Sequence, residues 1–414
     1  MWIESARSFE ELRVTRSILL LGGSAQQVVA IETAKRLGYR TILCDYLPDN
    51  PGQCVADVFY QESTTDRETV LEIAIKENIE GVLAYASDPA SPVAAYVAEQ
   101  LGLPTNPLST VEVMSQKHLF RRHLKENGFP CPASASFAPD DDLEEVWRSL
   151  QGFSLPIVVK PTDSSGSKGV SIVDSEQEFI DAVEAARKIS KNDILIAEEY
   201  IEKSYPHVVG GDIFVVDGEI RFWGLMDCMR DAQADLIPTG KMAPTGLSET
   251  QMGAAKEILR TLVRSLGVRF GELNVEIIFG KNDVPYVLEL GSRAGGNMIP
   301  VQLSDMSGID LVAANVLCAM GEQPERIDFE QPQEAYATHV LHSLQSGTYK
   351  AVEIDDELLP HVYRQVLYAR EGDRVEPFNG ANRAIGIVFA KFDSTQQMHD
   401  NMSKINDSIH VLLG

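Results

Sequence analysis

The sequence predicts an α/β fold in three parts: a small, mostly parallel leading sheet, a mixed body and a β-rich tail. Three observations lead there. Short apolar runs alternate with helical patterns from about Ser17 to Thr105. Two later strand pairs, within residues 157–173 and 273–290, enclose turns rich in Gly, Ser, Lys, Asn and Asp. Past residue 331, strand-like runs follow one another until a last helical segment. A chain of 414 residues should hold more than one domain.

In the leading part, SILLLGG precedes AQQVVAIETAKRLG and RTILCDYL, and ETVLEIAIKENIE precedes GVLAYASD. This βαβ rhythm is Rossmann-like. Gly22-Gly23 closes the first strand and Asp45 closes the second, which half-matches a dinucleotide fingerprint. GGSAQQ lacks the G-x-G-x-x-G spacing that lets backbone approach a pyrophosphate, so an NAD-dependent enzyme is the weakest reading.

The body opens with a helix over Val111–Asn127, carrying Lys117 and Arg121 and stopped by Gly128, Pro130 and Pro132. A strand, Ile157–Lys160, then ends in a lysine, and the turn Asp163–Gly169 leads into a second strand, Val170–Val173. Gly166 and Gly169 permit positive φ, so backbone amides can converge on an anion. Ser164, Ser165 and Ser167 add hydroxyls, and Lys160 and Lys168 add charge. A plain Ser/Gly hairpin is the bland alternative; the lysine ending the strand favours phosphate. After a helix over Ser175–Ser190 and a strand over Asp193–Ala197, Glu198-Glu199-Tyr200-Ile201 is either a solvated strand end or a hinge offering backbone to an adenine. Asp217-Gly218 marks a hairpin, Asp227–Glu249 reads as a long polar loop, and Ser248–Leu266 as an amphipathic helix.

The most informative stretch is Leu273–Gly280, the turn Lys281-Asn282-Asp283, and Pro285–Leu290. If the four residues Lys281–Val284 form the loop, Glu276 sits opposite Glu289 on one face; a register shift would make them diagonal neighbours. Like charges that close destabilise a half-buried sheet unless a cation lies between them, and oxygen-only ligands suit Mg²⁺ or Mn²⁺. Arg293, four residues on, adds a planar cation suited to phosphate. Two solvated acids on an ordinary hairpin are the alternative.

The formal net charge of −25 argues against a nucleic-acid partner. Acids precede a short apolar run at the N-terminus, which fits neither a signal peptide nor a membrane span. Five dispersed cysteines without a CxxC pair suggest reduced thiols and a cytoplasmic protein, and no HExxH supports a zinc hydrolase.

Taken in order, Lys117, VVKP with its Ser/Gly turn, AEEYI, and NVEIIF with VLELGSR resemble the ATP-grasp superfamily, above all its amino-acid ligases and biotin-carboxylase-like branch. The resemblance covers essentially the whole chain. It implies a Rossmann-like domain at 1–108, an α+β ATP-grasp domain at 109–330 with a nucleotide lid at about 133–201, and a β-rich closing domain at 331–414. By position it implies that Lys117 and Lys160 contact ATP phosphates under a closing turn of Ser164, Ser165, Gly166, Ser167, Lys168 and Gly169. Glu198 and the backbone of Glu199, Tyr200 and Ile201 would hold adenine, Glu276 and Glu289 would ligate Mg²⁺, and Arg293, with Lys160, would act in catalysis.

Two departures stand out. The family usually has asparagine where Gly291 stands, so Asn274 or Asn297 is expected to replace it as metal ligand. The ribose-gripping acid after the hinge is not evident as a single residue, with His207 and Asp212 both near the expected place. The implied activity is an ADP-forming ligase joining a small carboxylate, such as an amino acid, to an amine through an acylphosphate. A bicarbonate-activating enzyme of the biotin-carboxylase or carbamoyl-phosphate type is the runner-up. Biotin carboxylases follow the arginine with a Val-Glu-His-Pro-type run, whereas Ala294-Gly295-Gly296-Asn297-Met298 stands here. A non-catalytic nucleotide-binding protein is the third reading. Partners are small molecules, without nucleic acid or membrane, and a homodimer is the default assembly.

Overall fold

The computed structural model describes residues 15–164, 166–230, 237–332 and 334–414. The leading sheet has four strands in the order Val58–Tyr60, Arg40–Cys44, Ser17–Leu21 and Gly81–Leu83, all parallel. Its central strand buries both faces, which explains the continuous apolar run SILLL. Leu19 and Leu21 pack among residues of the helices Arg67–Lys76 and Ser91–Leu101. Ile18 and Leu20 join Val312 and Val316 of a body helix, Leu311–Ala319. The Asp45 carboxylate accepts from the Gly23 amide at 2.7 Å, so this acid closes the first loop.

The body is dominated by an eight-stranded sheet, all of whose pairs are antiparallel. Its order is Val284–Gly291, Gly271–Gly280, Val208–Val216, Glu219–Arg230, Pro238–Ala243, Ala335–Leu341, Gly386–Phe392 and Val362–Leu367. The helix Glu249–Leu266 covers one face, started by a capping box between Ser248 and Gln251. A second sheet of four, Ser134–Phe137, Leu195–Glu199, Ile157–Pro161 and Ser171–Val173, packs on the helix Glu176–Arg187. A three-stranded sheet comes from the tail.

Several expectations change. The single helix over Val111–Asn127 is two, Leu108–Ser115 and Lys117–Glu126, broken where Gln116 is extended (φ −120°, ψ 112°). The Lys117 amide instead donates to the Thr162 carbonyl at 2.9 Å, which turns the second helix toward the turn at residues 163–169. Within the long loop expected at Asp227–Glu249, residues 227–230 and 238–243 are strand, because Glu219–Arg230 and Pro238–Ala243 pair with each other; residues 231–236 lie outside the described residues. Polar Asp227, Thr239 and Lys241 are buried on these strands, so a polar composition misreads as a loop. Three tail strands extend the eight-stranded sheet, and the last helical segment gives way to a strand, Ile409–Leu413. Among the described residues, no helix is long and apolar enough to cross a membrane.

Gly211 adopts φ +131°, and a Cβ there would lie 2.0 Å from the Gly224 carbonyl oxygen across the ladder. Gly211→Ala is therefore expected to cost at least about 2 kcal/mol. Thermal unfolding should show a lowered midpoint, with Gly152→Ala, whose Cβ meets nothing within 4 Å, as the unshifted control.

Candidate active site

The two principal sheets enclose a cavity of about 420 Å³, within the usual range for small-molecule sites. Its wall reaches from the lid strands to Gln26 and Asp88 of the leading unit and Asn382 of the tail. Seven lysines and arginines line it against five aspartates and glutamates, a local excess of two positive charges in a chain of net −25. The cavity thus suits an anion.

One wall is the carboxylate hairpin. Glu276 pairs directly with Glu289, as the four-residue loop required, but by another route. The turn is only three residues, Lys281–Asp283, with Asn282 and Asp283 at positive φ. That turn alone would set Glu276 against Leu288. A bulge between Ile277↔Val287 and Glu276↔Glu289 leaves Leu288 as the extra residue and restores the acid pair. Glu289 has Lys117 at 3.8 Å and Arg293 at 4.0 Å, and Glu276 has Arg230 at 3.9 Å. Burial pushes the Glu289 carboxyl above its usual range, and Asp88 and Glu276 add to that push against Lys117 and Arg293. Two facing carboxylates whose cations all stand off near 4 Å have room and need for a small hard cation. Asn274 lies on the same face directly opposite Gly291, and its Nδ2 donates to Asp212 Oδ1 at 2.7 Å. Its amide oxygen is thus the atom left to turn toward a cation. The donor set fits magnesium.

The opposite wall is the second four-stranded sheet, at the place of the expected lid. Lys160 donates to Glu198 at 2.7 Å, and Arg121 forms an ion pair with the same carboxylate at 2.9 Å. All three are buried. Burial alone would raise the Glu198 pKa, but Arg121 and Lys160 hold it down to about 2. Arg121 also donates to the Leu288 carbonyl at 3.0 Å, so one guanidinium joins the lid to the bulge. The expected adenine contact from Glu198 changes character: its carboxylate is spent on Lys160 and Arg121. The Glu199 and Tyr200 amides are spent on the carbonyls of Ala133 (2.9 Å) and Pro156 (3.1 Å). Ile201 has no backbone partner for its amide among the described residues, and it lines the cavity.

Lys117 reaches the Ser164 carbonyl at 2.6 Å, joining the turn to the hairpin. Gly166, Ser167 and Gly169 all have positive φ, and Asp163 ties the base of the turn to the amides of Lys191 and Asn192, each at 2.9 Å. Gly166, Ser167 and Lys168 line the cavity, whereas Gly169 is not among the lining residues and folds over Pro161. Ser165 lies outside the described residues. His207 is also not among the lining residues; its ring packs against Tyr205, centroids 5.8 Å apart. Asp212 is fully buried and accepts from Asn274 and from the Gly295 amide, so its carboxylate is not free to grip a sugar. Lys203 lines the cavity instead.

Arg293 is clamped by Asp88 through two bonds of 2.7 and 2.8 Å. Sequence reasoning misses Asp88, although it follows a strand at the carboxyl end of a parallel sheet, where α/β ligand sites gather. Arg121 had a signal too: it is four residues past Lys117 on one helix face.

The family model described as carbamoyl-phosphate synthase L chain, ATP binding domain, matches residues 116–327, just over half the chain. The chain belongs to this ATP-grasp family. Among curated relatives of the ATP-grasp chain, the carbamoyl phosphate synthase large chain of Thermotoga sp. (strain RQ2) is 27% identical over 267 residues, covering 62% of this chain but 23% of the relative. The chain thus spans about a quarter of the length of these synthases. The formate-dependent phosphoribosylglycinamide formyltransferase of a Nitratiruptor species is 26% identical over 398 residues, covering 94% of this chain and 96% of the relative. Of solved structures, an L-amino acid ligase from Bacillus licheniformis has a TM-score of 0.80 at 21% identity, covering 97% of this chain and 99% of that one. The biotin carboxylase domain of a Hydrogenobacter thermophilus 2-oxoglutarate carboxylase, solved with MgADP, ADP and bicarbonate, has a TM-score of 0.76 at 16% identity, covering 96% and 91%. These structures share the ATP-grasp fold.

The depressed Glu198 pKa makes the sheet that carries it acid-sensitive. Its stabilisation is complete above the ordinary carboxylate value of 4.5 and is lost as pH falls through about 2. Wild-type protein should lose thermal stability across that window more steeply than Glu198→Gln, which is expected to be less stable by about 3–5 kcal/mol at neutral pH. Melting curves from pH 7 to 2 check both statements.

Proposed function

We propose that the chain is an ADP-forming ATP-grasp ligase that activates a small carboxylate as an acylphosphate and joins it to an amine. The observation carrying this reading is the Glu276–Glu289 pair facing Lys117 and Lys160 across one cavity. The nucleotide would lie with its adenine edge at Ile201 and its base between the apolar side chains of Val158, Ile172 and Ile278. Lys160, fixed by Glu198, and Lys117, fixed by the Ser164 carbonyl, would meet the phosphates. Positions held this firmly reduce the reorganisation needed as charge develops.

Glu276 and Glu289, with the Asn274 oxygen, would hold magnesium; when bound there it neutralises charge on the transferring phosphoryl group. The lysines orient the γ-phosphate toward the substrate carboxylate, whose oxygen attacks phosphorus as ADP leaves. Arg293 would stabilise charge on the acylphosphate, and its fixed orientation comes from Asp88. The amine then attacks the acyl carbon and phosphate leaves. No nucleophilic side chain is required, since phosphorylation itself creates the leaving group.

Bicarbonate activation is a second reading, favoured by the synthase relatives. End-to-end coverage by a formyltransferase relative, 26% identical, supports the carboxylate reading; the amino acid ligase and biotin carboxylase folds are both covered over more than nine-tenths and do not choose between the two. A phosphate-release screen of amino acids and small acids, alone and paired with amines, under MgATP tests the choice. Amine-dependent release of ADP and phosphate is expected, and Glu289→Ala should reduce it by at least about 100-fold, the scale for losing a group that stabilises transition-state charge. Bicarbonate-dependent release without amine would select the second reading.

A further inference from the structure

Lys241 is 7% exposed, lines the cavity, and has no carboxylate within ion-pair distance among the described residues. Its ammonium donates to the Cys228 thiol. That thiol is a poor counter-ion, because burial pushes its pKa up and keeps it neutral. A buried ammonium without an anion among its described neighbours is costly, so its presence needs a reason. Every other basic side chain of the wall that is not exposed has one: Lys160 has Glu198, Arg293 has Asp88, Lys117 has Glu289 and Arg230 has Glu276.

The ladder explains where this charge points. Glu276 pairs with Gly210 on the next strand, and Lys241 pairs with Cys228 two strands farther along. The lysine leans back over the gap: a Cβ on Gly210 would lie 2.9 Å from Lys241 Nζ and 2.7 Å from Cys228 Sγ. Glycine here leaves the room that the ammonium fills, beside the ladder partner of a carboxylate in the proposed metal pair.

We infer that Lys241 is the anchor for the carboxylate group of the substrate, holding it beside Glu276 for phosphorylation. The inference rests on the ligase reading above. It assigns to one residue the recognition of an oxyanion other than the nucleotide's, whose phosphates have Lys117, Lys160 and the turn. The sequence hid Lys241 because PTGKMAPTG carries two prolines and two glycines in nine residues.

Acetate and its neutral isostere acetamide serve as probes, titrated into protein saturated with MgADP at constant ionic strength, with thermal stability as readout. Wild type should be stabilised by acetate and not by acetamide. Lys241→Met should lose the acetate response while keeping the MgADP shift, which also reports an intact fold. Cys228→Ala should keep both responses. For any carboxylate turned over in the phosphate-release screen, Lys241→Met should raise its KM by about 10- to 100-fold, the loss of one hydrogen bond to a charged group. The KM for ATP should stay within about twofold, and Lys241→Arg should recover part of the loss. An MgADP shift with no acetate response in wild type overturns the inference, as does an equal response in Lys241→Met or its loss in Cys228→Ala. No MgADP shift in wild type removes the ligase reading itself.

Discussion

One buried guanidinium ties the two walls of the cavity together. Arg121 pairs with Glu198 on the lid strand and donates to the Leu288 carbonyl on the hairpin. Leu288 is the extra residue of the bulge, so its carbonyl falls outside the regular ladder and needs a donor. The bulge in turn brings Glu289 opposite Glu276. Removing Arg121 would therefore leave a buried carboxylate half-paired, an orphan carbonyl, and a weaker hold on the carboxylate register. Lys160 depends on the same centre, since its ammonium is buried and has Glu198 as its counter-ion.

A second clamp works from the other side. Asp88 reaches from the leading unit and holds Arg293 by a fork of two hydrogen bonds, the arrangement that fixes a guanidinium in both position and plane. Asp212, buried in the sheet, holds the Gly295 amide two residues later. The loop carrying Arg293 is thus pinned at both ends by acids that contribute no free charge to the cavity. Among the proposed catalytic groups, orientation comes from buried ion pairs, and what remains exposed is a modest excess of positive charge matched to an anionic ligand.

Much of this was legible in the sequence because it depends on local rules. Alternation of strand and helix announced the parallel sheet, and paired apolar faces announced the hairpin. The lysine at the end of VVKP, the Ser/Gly turn with its positive-φ positions, and the acid pair on one face follow from strand periodicity and glycine's freedom. Even the pairing of Glu276 with Glu289 was reached, although through a four-residue loop where the chain uses a three-residue turn and a bulge. Sequence spacing counts residues between the acids, and both solutions give the same count.

The sequence by itself determined the strands of the leading sheet and of the carboxylate hairpin, which acids face one way, and that the chain carries ATP-grasp motifs in order. Tertiary structure decided what those groups do with their charge. Glu198 reads as a hinge acid until Arg121 and Lys160 are seen to occupy it; Asp212 reads as a sugar contact until Asn274 and the Gly295 amide are found on its carboxylate. Asp88 lies 205 residues from Arg293, and Lys241 matters only because Gly210, on another strand, leaves space beside Glu276. Burial and pairing are sums over distant parts of the chain. Periodicity and spacing report only neighbours along it.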